Sequence, residues 1–406
     1  MSPDQERPRL FYGWVVVAAC FLATLTLGET FWCFGVFFKP LESEFGWSRA
    51  VTSSAYTCFL IGHAISLVVG GRLGDRISPR PILLATAVIS GTAIALCSQT
   101  DSVNELRLFL FIAGLGAGPM WSVSTSTVVR WFNGHKRASV ALAVTTTGVG
   151  AGAIIFAPLI NHFIGAYGWR DAFLYVGIIM AIIVLAAALL VRRAPQAGAS
   201  DSSSFPARGG APTRAMIGAF ITVTFIITVA IFSFQAVNVH LVPHATDVGI
   251  SDTSAAIAVG LTGAFSIPGR LISGFVSDAI GWRRTLALAV LGMALSITWL
   301  LFLDAVWMLY AFVLIYGTCH GIRVPAQIGI LGQTFGLSSL GQLVGISTAI
   351  GQLVGATAPY VMGFIYDHTG GYATGFYILM AMLAATGIVA FMLRGRLTPG
   401  QRPTDR

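Results

Sequence analysis

Long apolar runs, each ended by a short polar or charged stretch, repeat from one end of this chain to the other; 12–38, 81–97 and 173–191 are examples. A helix crossing the hydrocarbon layer of a bilayer needs about 20 such residues. The runs are continuous and do not alternate, which excludes a transmembrane β-barrel. The pattern predicts twelve spanning helices, over 12–38, 49–71, 80–99, 105–129, 138–163, 169–191, 216–240, 252–276, 283–302, 305–328, 341–363 and 371–393. Between the sixth and seventh lies RRAPQAGASDSSSFPARGGAPTR (192–214), rich in Ala, Ser, Gly and Pro. Such a stretch cannot bury apolar surface and reads as a flexible linker. It divides the chain into six-helix units over 1–191 and 215–406.

Composition agrees with this pattern. Of 406 residues, 55% are hydrophobic and 10% charged, and the mean hydropathy is +0.79. Soluble domains carry roughly a quarter charged residues, so a soluble enzyme or a nucleic-acid binder is excluded. The formal charge of +8 therefore reports orientation rather than a polyanionic partner. With the N-terminus inside, 18 of the 24 Lys and Arg fall on the cytoplasmic side, in 7–9, 72–80, 130–137, 192–214, 283–284 and 394–406. Lys39, Arg49, Arg107 and Arg170 fall outside, so both termini are expected in the cytoplasm. The first apolar run is too long for a cleaved signal peptide. No Asn starts an N-x-[ST] sequon, and with the short loops this favours a bacterial inner membrane. The five cysteines lie in predicted helices without a C-x-x-C pair; they read as small buried residues, with no disulfide framework and no metal site. No cofactor is expected.

The two halves resemble each other at an offset of 203 residues. Glu44, Gly46 and Ser48 match Asp247, Gly249 and Ser251; Asp75 matches Asp278; Gly168 and Phe173 match Gly371 and Phe376. Three matches in register point to a duplicated six-helix bundle, with substrate carried between the halves near the bilayer midplane.

The loop between the second and third spans reads GRLGDRISPR from Gly71, and Gly274, Asp278, Gly281, Arg283 and Arg284 repeat it. A glycine lets helices approach closely. An aspartate at a helix N-terminus gains from its dipole, and nearby arginines can pair with it. Gly71, Asp75, Arg76, Arg80, Gly274, Asp278, Arg283 and Arg284 are thus candidates for a conformational latch. The sequence resembles the cytoplasmic signature of the major facilitator superfamily, with Ser78 in place of a glycine and Pro79 in place of an arginine. FYGWVVV (11–17), GVFFKPLESEFGWSRAVTS (35–53), RWFNGHKRASVALAVTTTGVG (130–150) and GWRDAFLYVG (168–177) further resemble the monocarboxylate transporter family, whose relatives include the bacterial oxalate/formate antiporters. The resemblance covers most of the membrane part. It implies twelve helices in two pseudo-symmetric bundles and alternating access.

A charge inside a membrane is costly and marks a functional candidate. Three occur here: Glu29, Arg270 and Arg323. Arg270 follows Pro268 and Gly269 in the eighth span, and a guanidinium can hold a carboxylate by two parallel hydrogen bonds. Arg270 with Gly274 also matches the R-x-x-x-G of the monocarboxylate transporters, where the resemblance implies that the arginine binds the substrate carboxylate. The family's acid one turn earlier is Ser266 here, and its lysine on the first helix is Trp32, so the inherited proton relay is absent. Glu29, the one acid well inside a span, is a candidate replacement, because a carboxyl buried away from cations takes up a proton more readily. His63 and His320 are further proton-coupling candidates. Arg323 supplies a possible second cationic contact. Trp32, Tyr316, Gln352 and Tyr360 are candidate lining residues, the last two placed two turns apart on one face of the eleventh span. The helix 11 lysine of oxalate carriers is missing; Gln342, Ser347 and Gln352 stand there instead.

The expected function is secondary transport of a small organic anion, foremost a proton-coupled monocarboxylate such as lactate or pyruvate. Carboxylate exchange of the oxalate/formate type, or a sensor or channel on the same fold, are the alternatives. No G-x-S-x-G, H-E-x-x-H or Walker sequence appears, so neither an enzyme nor an ATP-driven pump is expected. The expected partners are the anion, protons and the lipid bilayer, with no nucleic acid and no accessory subunit.

Overall fold

A computed structural model describes residues 11–133, 135, 137–194, 214–335 and 340–392. Among them fourteen α-helices follow one another without a strand. In the first half these are α1 (Gly13–Trp32), α2 (Phe34–Phe45), α3 (Arg49–Arg76), α4 (Pro79–Leu96), α5 (Val103–Trp131), α6 (Ala138–Tyr167) and α7 (Trp169–Leu190). In the second half they are α8 (Arg214–Asp247), α9 (Asp252–Ile280), α10 (Trp282–Leu301), α11 (Val306–Phe335), α12 (Leu340–Gly355), α13 (Ala358–Thr369) and α14 (Ala373–Met392). Most of the linker, 195–213, lies outside the described residues, as do the side chains of Asp75 and Gln342.

Fourteen helices make twelve crossings because two crossings are interrupted. The first bends at Cys33, between α1 and α2, and the eleventh breaks at 356–357, between α12 and α13. Pro359 in the first turn of α13 fits this break, since a proline is tolerated there but not deeper in a helix. Among the described residues, eleven units are long and apolar enough to cross a bilayer. The twelfth, α11, is 30 residues long but is diluted by His320, Arg323 and Gln327. Several helices outrun their apolar runs; α8 continues through His240 and His244 to Asp247 because these polar groups find partners at its end.

The duplication has a physical basis in matched residues. Ser48 and Ser251 each cap a helix, accepting from the backbone N–H of Val51 (3.4 Å) and Ser254 (3.3 Å). Gly46 and Gly249 just before them have φ of 63° and 85°, where a Cβ is strained. A Cβ on Gly114 would meet the Phe59 carbonyl oxygen at 2.1 Å, and one on Gly317 the Thr262 oxygen at 2.7 Å. Gly317 and Thr262 are the 203-residue counterparts of Gly114 and Phe59. The same glycine thus sets the α3–α5 and α9–α11 packing distances.

The helices α1–α7 pack largely on one another, as do α8–α14; the halves meet mainly along α6 with α9, α13 with α3, and α2 with α8. At the centre of the first seam a Cβ on Gly150 would lie 2.8 Å from the carbonyl oxygen of Gly263. Twelve crossings place 71–80, 274–284 and both ends of the described chain on one face, the motif face. The turns at 46–48, 249–251 and 370–372 lie on the opposite face.

Candidate functional site

Between the halves lies a cavity of about 280 Å³. The first half contributes Leu27, Phe31 and Trp32 of α1, His63 and Leu67 of α3, Trp121 of α5 and Val149 of α6. From the second half, α8 supplies Phe234 and Gln235, α9 supplies Arg270, α11 supplies His320, Arg323 and Gln327, and α12 supplies Thr348 and Gln352. Leu67 and Arg270 are repeat counterparts, so the duplication built two similar walls and only one received the charge.

Arg270 joins the two walls. Its Nη1 donates to the Thr146 carbonyl oxygen on α6 at 3.0 Å, while its Nε is buried without a partner. Arg323 is 4% exposed; its Nη1 donates to Gln327 Oε1 at 2.7 Å, and its Nε is also unpartnered. Neither guanidinium has a carboxylate within ion-pair distance among the described residues, and no acid lines the cavity. A buried charge without a counter-charge costs several kcal/mol, so an anion entering this cavity gains what the protein leaves unmet. His320 stacks on Phe234 (4.1 Å, 25°) and meets Trp32 edge-on, with Nδ1 unpartnered. His63 packs against Phe31 and Phe59, and both its ring nitrogens are buried without partners.

The structure brings together Arg270, Arg323, Trp32, Gln352, His63 and His320. It does not bring Glu29, Tyr316 or Tyr360 to the cavity. Glu29 is two residues from both Leu27 and Phe31, so it points to the other side of α1. There it faces a space of about 10 Å³ inside the first half, among Phe34, Phe37, Tyr56, Phe59, Leu110 and Phe173. Its Oε2 has no partner, and the space is of the order needed for one water. Tyr316 is buried against Phe312. Tyr360 is 43% exposed on α13 and does not share a face with Gln352, because the break at 356–357 separates the two helices. Gln235, Gln327 and Thr348 escaped the sequence reading. The signal available was a polar residue inside an apolar run, as with Gln235 in 216–240. Among the described residues no group of three His, Cys, Asp or Glu could hold a metal ion.

On the opposite face a polar cluster joins the two halves. Arg49 of α3, 3% exposed, pairs with both carboxylate oxygens of Asp247 on α8, at 2.6 and 2.9 Å. It also donates to Tyr372 Oη (2.7 Å) and Glu42 Oε1 (3.2 Å), and its guanidinium lies 3.7 Å over the Tyr366 ring. Lys39 pairs with the same Asp247. Asp367 on α13 accepts from the backbone N–H groups of Arg49 and Ala50 at 2.9 Å each, so a carboxylate of one half caps a helix of the other. His240 bridges Ser53 Oγ, Tyr372 Oη and the Pro359 carbonyl oxygen.

The motif face differs. Arg76, Arg80, Asp278 and Arg284 are exposed, and Arg283 is half-buried. A Cβ on Gly71 or Gly274 would meet nothing within 4 Å, so neither glycine holds a close helix approach in this conformation. Nearby, the Arg130 guanidinium donates to the Gly74 carbonyl oxygen at 2.7 Å, tying α5 to the first motif. Phe11 and Trp14 pack on Phe132, and Phe11 also on Trp131 and His135, which joins the segments 11–17 and 130–150.

The sequence model of a family described as the Major Facilitator Superfamily matches residues 20–238 and 223–406. Monocarboxylate transporter 13 of Bos taurus is 26% identical over 400 residues, covering 96% of this chain and 91% of its own. An uncharacterized MFS-type transporter of Bacillus subtilis (strain 168), YcxA, is 24% identical over 378 residues, covering 88% and 90%. Among solved structures, a D-xylose–proton symporter superposes with a TM-score of 0.76 at 17% identity, covering 94% of this chain and 97% of that one.

Proposed function

The chain belongs to the Major Facilitator Superfamily, a family of membrane transporters rather than enzymes, and from that premise we propose that it carries small organic anions by alternating access, with the substrate carboxylate on Arg270. One observation carries this reading: Arg270 lines a cavity between the halves and, among the described residues, is bonded only to a backbone oxygen of the opposite half and faces no acid. A carboxylate there would take the unfilled guanidinium donors. Trp32, Trp121, Phe31 and Phe234 suit a short apolar body. The relatives named as monocarboxylate transporters support lactate- or pyruvate-like substrates.

In this reading the units 1–191 and 215–406 rock about the 192–214 linker. The motif face is cytoplasmic, with both termini there, in a bacterial inner membrane. The conformation described is closed on the outside by the Arg49 cluster. The motif residues Gly71, Asp75, Arg76, Arg80, Gly274, Asp278, Arg283 and Arg284 would latch when the halves close on the inside. No accessory subunit is required. Proton coupling would run through His63 and His320 in the cavity or through Glu29 in its separate space.

A second reading, anion exchange without a proton, is favoured by one observation: among the described residues no carboxylate lines the cavity, so return of the empty carrier would leave two cations uncompensated. Uptake of labelled lactate or pyruvate into proteoliposomes tests both. An inward proton gradient that accelerates uptake, lost in Arg270→Gln, supports proton-linked transport. Indifference to the gradient with stimulation by internal anion supports exchange. Equal uptake by parent and Arg270→Gln overturns the Arg270 assignment.

A further inference from the structure

The charges of the cavity do not balance for a substrate with one negative group. Two guanidiniums line it, and a monocarboxylate on Arg270 leaves Arg323 without a counter-charge. Arg323 could be a structural residue satisfied by its neighbours. Its surroundings argue otherwise. It is 4% exposed, its guanidinium donates among the described residues to the neutral amide of Gln327 one turn on, and its Nε has neither solvent nor partner. A buried arginine kept for packing is normally paired with an acid. Gln235 of α8, 1% exposed, also lines the cavity and presents an amide whose oxygen lacks a partner. An amide of this kind can turn its N–H donors to the same place.

We propose that Arg323 forms a second anion subsite, so that the cavity takes short dicarboxylates in preference to monocarboxylates of equal length. This rests on the assignment of Arg270 to the first carboxylate. Arg323 holds the second carboxylate through Nε and its remaining Nη donors, with Gln327 orienting the guanidinium. A dianion then neutralises both buried charges, and the loaded cavity crosses without net charge. A volume of about 280 Å³ admits chains of roughly four to six carbons, small against the 300–1,000 Å³ of drug-sized pockets. The aromatic wall covers the methylenes between the two ends.

Calorimetric titration of the solubilised full chain with butyrate, succinate, valerate and glutarate reads this without requiring transport. The parent is expected to bind succinate over butyrate, and glutarate over valerate, at least tenfold more tightly. Arg323→Gln is expected to erase that ratio, weakening succinate at least tenfold more than butyrate. Arg323→Lys, which keeps the charge but not the fork, should retain part of the ratio. A parent that binds butyrate as well as succinate overturns the proposal, as does an Arg323→Gln chain that weakens both acids equally. Arg270→Gln separates the two assignments: unchanged butyrate binding there removes the Arg270 reading, whereas the succinate-to-butyrate ratio of the parent still judges Arg323.

Discussion

Replacing Asp247 with asparagine should open the opposite face. Asp247 of the second half pairs with the Arg49 guanidinium, at 2.6 and 2.9 Å, and it also holds Lys39. Side-chain exposure is 3% for Arg49 and 21% for Asp247, so this pair is close to the buried limit. Removing one partner of a buried pair costs about 3–5 kcal/mol. The contact with Lys39, whose side chain is 34% exposed, adds about 0–1 kcal/mol. Arg49 keeps Glu42, Tyr372 and the Tyr366 face in the variant, which puts the net effect at the low end, about 3 kcal/mol. Because Arg49 and Asp247 belong to different halves, the loss falls on the conformation that is closed there. A free energy of that size moves a two-state equilibrium about 100-fold. Spin labels at the exposed Ser43 and Val248, with the five cysteines replaced, report the separation across this face by pulsed electron resonance. The parent should show a short distance and Asp247→Asn a dominant longer one. An unchanged distribution in a variant that melts like the parent would refute the assignment of this cluster as the outer closure.

Asp367→Asn should shift the same distance distribution in the same direction but less, since a capping carboxylate contributes about 1 kcal/mol. Gly263→Val should abolish uptake with the protein still folded by circular dichroism, because a Cβ there meets Ala153 Cβ at 2.7 Å and the Gly150 oxygen at 2.8 Å and forces the halves apart. Tyr360→Ala should leave substrate affinity within about twofold, as its side chain is on the outer surface of α13; a tenfold loss would return it to the site. If Glu29 carries the coupled proton, Glu29→Gln should remove gradient stimulation of uptake while leaving counterflow, and stimulation equal to the parent's would exclude it.

The crossings were legible because a bilayer demands length and apolarity from each segment independently, so every run could be read without its neighbours. The two interruptions, at Cys33 and at 356–357, were not, since hydropathy runs straight through them. The repeat was legible through Gly46, Ser48, Gly249 and Ser251, whose local backbone roles, a positive φ and a helix cap, are written in the residue type. Arg270, Arg323 and His320 stood out for the same reason: a polar group in an apolar run is conspicuous wherever it points.

Which way it points is another matter. Glu29 and Trp32 sit one turn apart on the same helix, yet Trp32 faces the cavity and Glu29 a space inside the first half. Only the packing of α1 against both sets of neighbours decided that. Arg49 and Lys39 read from the sequence as two outer charges that helped fix orientation; their partners Asp247, Asp367 and Tyr372 are about 200 to 330 residues away. A helix periodicity of 3.6 carries no record of a contact between two rigid halves. The sequence by itself therefore determined the membrane class, the duplication and the few buried charges, all properties of one segment at a time. The tertiary structure alone decided which of those charges share a cavity and which side-chain cluster closes it, because both depend on how the two halves dock.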